Sequence, residues 1–213
     1  MNKKVLIFTG GTGGHIIPAI NFGNYLIKEG YDSHIILDKR GKIFSSKFLG
    51  KKYIIHSNHF SGNIIFKFKS LIFLLIGFIL SLFIILKLKP SRCISFGGYA
   101  TFMPLAVVLL TKSFVKSKLY LHEQNSIIGK VNLFFLPFSE YIFTNFDLIQ
   151  NLQKKYKKKK YFVGLPLDSN INKIKINESR KSIKKIVFIY GGSQGSVPLI
   201  DKFILILKKL NQS

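Results

Sequence analysis

The sequence is poor in cysteine, tryptophan and acidic residues. Its 213 residues include one cysteine, Cys93, and no tryptophan, and 9 Asp and Glu residues stand against 33 Lys and Arg residues, for a formal net charge of +24. A single cysteine excludes a disulfide-stapled scaffold and a cysteine-rich zinc module, and it fits a reducing compartment. The hydrophobic content of 47% is enough to bury a core, so the chain is not a disordered basic tail.

The shortage of acids leaves three interpretations of the positive charge. It can mark a nucleic-acid surface, an anionic membrane surface, or a drift toward Lys, Ile, Asn and Phe along the whole chain. No nucleic-acid-binding module is recognisable. The run Lys154–Lys160 is interpreted as a solvated surface that can help to dock an anionic membrane. We therefore expect an anionic membrane, and not a nucleic acid, as the partner.

Two apolar segments bear on targeting. Val5–Thr9 is too short for the apolar region of a signal peptide, so the chain is expected to start in the cytoplasm with a buried strand. Leu71–Leu86 is sixteen uncharged residues long, with lysines on both sides. It can be a crossover helix, a helix lying in the headgroup region, or a single membrane span. We expect the second, with Leu71, Phe73, Phe78 and Phe83 meeting the membrane.

Strand-like runs alternate with helix-length segments through most of the chain. This rhythm predicts an α/β fold with a parallel, doubly wound sheet. The predicted strands are Val5–Thr9, Ser33–Leu37, Tyr53–His56, Cys93–Phe96, Lys118–Leu121, Tyr141–Thr144 and Tyr161–Val163. We expect residues 1–167 to form the first domain and 168–184 a polar linker. Residues 185–213 should then be the opening strand, glycine-rich turn and helix of a second domain, with the helix at Val197–Leu210.

A glycine-rich turn with a histidine follows the first strand. Gly10–Gly14 can bring the backbone close to a ligand, and the N–H groups at the start of the next helix favour an anion. The dinucleotide fingerprint is not met, because Ile16 stands where the third glycine belongs and Asp38 is a loose match for the ribose-binding acid; the phosphate-loop lysine is also absent. Neither a nicotinamide cofactor nor ATP is predicted. His15 is a candidate general base, with a structural hydrogen-bonding role as the alternative.

Two further motifs follow later strands. Ser95–Tyr99 and His122–Asn125 should both lie at the carboxyl edge of the sheet, where open α/β folds bind ligands. Glu123 is the only acid between Asp38 and Glu140, which makes it the competitor to His15 for acid–base work. A purely structural turn is the alternative for each motif.

Together these motifs resemble the MurG family of N-acetylglucosaminyltransferases. GGTGGHIIPA, SFGGYATFMP, LHEQNSIIGK, VGLPLD and GGSQGS occur in this order, and the resemblance runs from Lys3 to about Lys209. It implies a GT-B architecture of two Rossmann-like domains, the first complete here and the second begun. It implies inverting transfer of N-acetylglucosamine from UDP-GlcNAc to lipid I, giving lipid II in peptidoglycan synthesis, at the cytoplasmic face of the plasma (inner) membrane.

The resemblance also implies roles for individual residues. His15 matches the candidate base, with Glu123 as the second choice, and the family requires no metal or other cofactor. The acceptor is linked to a polyprenyl pyrophosphate and faces Gly97, Gly98 and Tyr99. Donor contacts match Thr12, Gly13, Gly14, Asn125 and Ser193.

Two departures from the family pattern matter. Asp168 replaces the arginine that the family uses toward the donor, and an acid there would repel a diphosphate. Most donor-domain contacts of the family also have no counterpart in these 213 residues. We therefore expect a truncated donor domain and little turnover by the chain alone. The alternative is a non-catalytic half of a split glycosyltransferase, which binds acceptor and membrane and recruits a separate donor-domain chain.

Overall fold

The computed structural model describes residues 3–55, 64–168, 170–171, 189 and 196–210. The chain divides into two compact units, Met1–Asp168 and Ser169–Ser213. The described part of the second unit is chiefly a helix over Val197–Leu210, as the sequence predicts. The predicted strand 185–190 lies outside the described residues except for position 189, and most of the predicted linker and Ser193 lie outside them as well.

The first unit is built on a seven-stranded sheet in which every neighbouring pair is parallel. The order across the sheet is β3-β2-β1-β4-β5-β6-β7, which confirms the predicted doubly wound α/β fold. Each strand lies within two residues of its predicted position. The strands are β1 Lys4–Phe8, β2 Asp32–Asp38, β3 Lys51–Ile55, β4 Arg92–Ser95, β5 Lys118–Glu123, β6 Tyr141–Thr144 and β7 Lys160–Phe162.

Five helices of the first unit connect or follow these strands: α1 Gly13–Lys28, α2 Ile64–Leu88, α3 Phe102–Leu110, α4 Lys112–Val115 and α5 Lys130–Phe135. His15 lies within the first turn of helix α1. Helix α5 was not predicted from the sequence. Short 3₁₀ segments cover Lys39–Lys47, Tyr99–Thr101, Leu136–Phe138 and Lys154–Lys159.

The core has one layer on each side of the sheet. Alternate residues of β1 divide between the layers, with Leu6 and Phe8 in one and Val5 and Ile7 in the other, as expected for a strand buried on both faces. The first layer includes Ile85 of α2, and α2 packs against α3. The second layer includes residues of α1, such as Ile16 and Ile20.

Helix α2 has a packed face and an open face, and both are apolar. Leu74, Ile84 and Ile85 are buried, and the buried Ser81 hydroxyl donates to the Gly77 carbonyl at 2.7 Å. The open face is a stripe of large side chains, here called the α2 stripe: Leu71, Ile72, Leu75, Ile76, Ile79, Leu80, Phe83 and Leu86. In the described part of the chain, Ser70–Leu88 is the one helix long and apolar enough to cross a membrane.

The four predicted membrane-contacting residues are divided between these faces. Leu71 and Phe83 belong to the α2 stripe, whereas Phe73 is only partly exposed. Phe78 is also partly exposed and packs against the core, on the side of α2 that carries Ser81 and Ile85.

Candidate functional site

The candidate site lies where the sheet reverses its winding direction. In chain order, β2 and β3 are added to β1 toward one edge of the sheet, and β4 to β7 are added toward the other edge. Strands β1 and β4 are therefore neighbours at the switch point. Open α/β sheets bind ligands in the crevice outside the carboxyl ends of such strands. Gly10–Gly14 follow β1, Gly97 and Gly98 follow β4, and Gln124 and Asn125 follow β5. The fold therefore brings the three predicted motifs together.

The two glycine loops pack directly against each other. A Cβ atom on Gly98 would lie 2.6 Å from the Gly10 carbonyl oxygen, and φ at Gly98 is +88°. A Cβ atom on Gly10 would lie 2.6 Å from the Ala100 Cβ atom. Side chains at these positions would force the loops apart, so the glycines are required by close approach as well as by the turn.

Asp38 ties the first glycine loop to the end of β2. Its buried Oδ1 atom accepts from the backbone N–H groups of Gly11 and Gly41, both at 3.2 Å. Its Oδ2 atom accepts from Arg40 Nε at 2.7 Å. Asp38, at the end of β2, therefore holds the glycine loop that follows the neighbouring strand β1.

Arg40 places a positive charge beside the first glycine loop. A Cβ atom built on Gly11 would lie 3.9 Å from a terminal nitrogen of Arg40. Burial raises the pKa of Tyr99 from 10.0, and the nearby Arg40 charge acts in the opposite direction. The guanidinium is therefore close to both glycine loops. Arg40 was not predicted from the sequence, although it lies two residues beyond Asp38.

The imidazole ring of His15 is fixed by hydrogen bonds at one of its two nitrogens. It is the third residue of α1, after the N-cap Thr12 and two glycines. Its Nδ1 atom lies 2.8 Å from the Phe96 carbonyl oxygen and 2.7 Å from Gln124 Oε1. A Cβ atom on Gly98 would lie 3.7 Å from His15 Cδ2. The edge of the ring that carries Nε2 therefore faces the second glycine loop.

The Glu123 carboxylate holds its own loop in place through hydrogen bonds. Oε1 accepts from the Asn125 backbone N–H at 3.1 Å and from Asn125 Nδ2 at 2.9 Å. Oε2 accepts from the Gly129 N–H and from Asn132 Nδ2, both at 2.9 Å. Four N–H donors saturate the buried carboxylate. The geometry therefore favours His15 over Glu123 for proton transfer.

A cavity of about 400 Å³ opens between His15, the second glycine loop and the loop after β5. The predicted residues that line it are His15, Gly97, Gly98, Tyr99, Glu123 and Asn125. Lys130 and Asn132 line it as well, and both come from α5. Lys130 is the last residue of the LHEQNSIIGK motif, and this position was the signal in the sequence that could have identified it. The cavity therefore combines a histidine, the second glycine loop and a lysine.

The remaining predicted residues are placed as follows. Thr12 is exposed at the N-cap of α1, and Gly13 and Gly14 form its first turn. Asp168 is exposed. Within the described residues, no group of three or more His, Cys, Asp or Glu side chains could hold a metal ion.

The comparisons with known proteins agree with this arrangement. Residues 5–144 match the family model described as the glycosyltransferase family 28 N-terminal domain. A protein of Rickettsia rickettsii (strain Sheila Smith), named UDP-N-acetylglucosamine--N-acetylmuramyl-(pentapeptide) pyrophosphoryl-undecaprenol N-acetylglucosamine transferase, is 34% identical over 91% of this chain and 56% of its own length. The Rickettsia canadensis (strain McKiel) protein of the same name is 35% identical over 91% of this chain and 53% of its own.

A solved structure agrees with the fold. The crystal structure of Acinetobacter baumannii MurG superposes with a TM-score of 0.70 at 20% identity, covering 97% of this chain and 57% of that one. The chain spans about half the length of the curated relatives that it matches. The family match covers the strands and loops that build the cavity, from β1 to the end of β6. The chain therefore belongs to glycosyltransferase family 28.

Proposed function

We propose that this chain supplies the acceptor-binding and membrane-binding part of an inverting transferase that moves N-acetylglucosamine from UDP-GlcNAc to a lipid-linked muramyl-pentapeptide. One observation carries the proposal: His15 and the second glycine loop line one cavity at the switch point of the sheet. The names of the curated relatives supply the substrate class.

The charges at the cavity and beside the first glycine loop suit a pyrophosphate. Lys130 lines it, and the Arg40 guanidinium lies beside Gly11. The N–H groups of the first turn of α1 and the positive end of the helix dipole add to this field. Guanidinium and ammonium groups hold phosphate oxygens through charge-assisted hydrogen bonds. The pyrophosphate of the acceptor would therefore lie near the glycine loops.

The α2 stripe suits a peripheral membrane location. Its residues recur on one side of the helix, while the opposite side packs into the core. A helix with one face buried in protein and the other apolar and exposed is suited to lie in the interface. Lys87, which lies 5.8 Å from the centre of the Phe83 ring, can contact anionic headgroups. This arrangement would place the cavity close to a lipid-linked acceptor at the cytoplasmic face of the plasma membrane, in peptidoglycan synthesis.

The chemistry needs one base. The acceptor hydroxyl attacks the anomeric carbon of N-acetylglucosamine, and His15 Nε2 takes the hydroxyl proton. The bond from that carbon to the UDP oxygen breaks, and UDP leaves with the electron pair. The oxygen–carbon bond forms on the opposite side, so the anomeric configuration inverts. Asn125 would contribute to donor binding, as would Thr12, Gly13, Gly14 and Ser193, and none of these steps calls for a metal or another cofactor.

The test is transfer of labelled N-acetylglucosamine from UDP-GlcNAc to a short-chain polyprenyl-pyrophosphoryl muramyl-pentapeptide. The chain is assayed alone and fused to the carboxyl-terminal half of the Rickettsia rickettsii relative. Product from either form supports the proposal, and a His15→Ala variant should lose it. An acceptor that binds to neither form refutes the proposal.

A second candidate is a non-catalytic acceptor- and membrane-binding half that pairs with a separate donor-domain chain. The observation that favours it is that the acceptor cavity is formed within the first unit alone. Acceptor binding without transfer by either form would support this candidate. An Arg40→Gln variant, with the exposed neighbour Lys39→Gln as its control, tests whether binding uses the proposed pyrophosphate contact.

A further inference from the structure

Four groups form a continuous hydrogen-bond relay from His15 into the interior. His15 Nδ1 lies 2.7 Å from Gln124 Oε1, and Gln124 Nε2 lies 3.0 Å from His122 Nδ1. His122 Nε2 lies 3.1 Å from the Gly164 carbonyl oxygen. The relay begins at the cavity and ends beyond β7, where the chain leaves the sheet.

The relay admits one consistent assignment of hydrogens. Gln124 Nε2 also lies 3.2 Å from the His122 carbonyl oxygen, which can only accept, so the amide nitrogen occupies that end. Gln124 Oε1 must then accept from His15, and the second partner of His15 Nδ1, the Phe96 carbonyl oxygen, is also an acceptor. Nδ1 of His15 therefore carries a hydrogen. In a neutral imidazole the other nitrogen, Nε2, is then a free acceptor.

His122 fits the same assignment from the other end. Its Nε2 faces a carbonyl oxygen and must donate, so its Nδ1 accepts from the Gln124 amide. The ring is buried and stacks on Phe96, with centroids 4.8 Å apart. Burial lowers the pKa of His122 from 6.5, with the Gly164 carbonyl and the Glu123 charge acting in the opposite direction. A neutral His122 keeps its Nδ1 available as an acceptor.

We propose that Gln124 and His122 are positioning residues, which hold His15 in the Nδ1–H tautomer with Nε2 directed at the cavity. This inference rests on the proposed function, because it makes Nε2 the proton acceptor. When Nε2 takes the hydroxyl proton, the resulting imidazolium still donates from Nδ1 to Gln124 Oε1 and the Phe96 carbonyl oxygen. Two fixed carbonyl dipoles thus stabilise the charge that develops on the ring.

The first test is the tautomer of His15, read by ¹⁵N NMR of the ring nitrogens in the whole chain near neutral pH. The wild type should show a protonated Nδ1 and an unprotonated Nε2. Gln124→Met removes the amide but keeps the side-chain length, so His15 keeps only the Phe96 carbonyl. The Nε2–H tautomer should then become detectable. A wild-type His15 that carries its hydrogen on Nε2 overturns the proposal.

The second test asks whether His122 acts through Gln124. His122→Phe keeps a ring against Phe96 but breaks both side-chain hydrogen bonds. It should shift the His15 tautomer in the wild-type background and add nothing in the Gln124→Met background, since groups in one network are not additive. His34→Phe replaces another buried histidine, on β2, and should leave His15 unchanged. His122→Gln is the replacement variant if His122→Phe does not fold.

The kinetic readout uses the fusion described above. Gln124→Met should lower kcat about tenfold, the expected effect of losing one hydrogen bond to a charged group, with the KM for acceptor unchanged. The relay is overturned if neither single variant changes the His15 tautomer. It is also overturned if the losses in kcat of Gln124→Met and His122→Phe multiply in the double variant. If no form transfers sugar but the tautomer results hold, the proposed function fails and the relay stands.

Discussion

The most direct structural prediction concerns the α2 stripe. Ile79 and Phe83 lie on the open face of α2 with 61% and 65% of their surface exposed. Replacing both by serine removes two apolar side chains from the surface proposed to meet lipid. The packed face, with Ile84 and Ile85, is left unchanged, so the fold should be retained.

The magnitude follows from the exposed area. Full burial of an Ile or Phe side chain is worth roughly 1.5–3 kcal/mol. Each of these side chains has somewhat more than half of its surface left to bury in lipid, and an interfacial helix buries it incompletely. We therefore take about 1 kcal/mol for each substitution. About 2 kcal/mol for the pair corresponds to a loss of roughly 30-fold in the partition coefficient.

The assay is co-sedimentation with vesicles that contain anionic lipid. The matched control is Tyr25→Ser on α1, with 58% of its surface exposed; α1 packs on the opposite side of the sheet from α2. The control should bind vesicles like the wild type. Wild-type binding that the double substitution leaves unchanged would refute the role of the α2 stripe, as would a chain that never sediments with vesicles.

Three further predictions concern the site. Glu123→Gln should lower the free energy of unfolding by about 3 kcal/mol in urea denaturation, because an NH₂ group would face N–H donors; an unchanged midpoint contradicts the organising role. Gly98→Ala should abolish acceptor binding, whereas Gly14→Ala, whose Cβ atom would lie 3.6 Å from the nearest atom, should change it little. Burial lowers the pKa of His122 in the folded state, so the unfolded state binds the proton at a higher pH and the free energy of unfolding should fall as the pH drops below about 6.5. His122→Phe should lose less stability over the same pH range. Equal losses in the two proteins would contradict this prediction.

The sheet could be predicted from the sequence because each strand is a short apolar run closed by a turn. Parallel strands then bring their carboxyl ends to one edge, so Gly98, His15 and Asn125 were predicted at the same edge. The family resemblance added roles that these patterns do not contain. Helix α5 was missed because Lys130–Phe135 is only six residues long, too short to show a helical period.

Other features depended on three-dimensional contacts. The saturation of Glu123 requires donors from Gly129 and Asn132, which only the fold brings to it. The faces of α2 could not be separated, because a helix that is apolar all around has no polar stripe to mark its outer side. The hydrogen bond from the Gly11 N–H to Asp38 joins residues that are 27 positions apart in the sequence, and no local spacing predicts it.

The central claim is that the cavity beside His15 binds the lipid-linked acceptor. The most direct measurement is NMR titration of the whole chain with a soluble short-chain analogue of the pyrophosphoryl muramyl-pentapeptide. We predict saturable shifts at the Gly97, Gly98 and Asn125 amides and at the His15 ring, and no such shifts in Gly98→Ala. An analogue that does not bind, or one whose shifts fall away from these residues, would contradict the account.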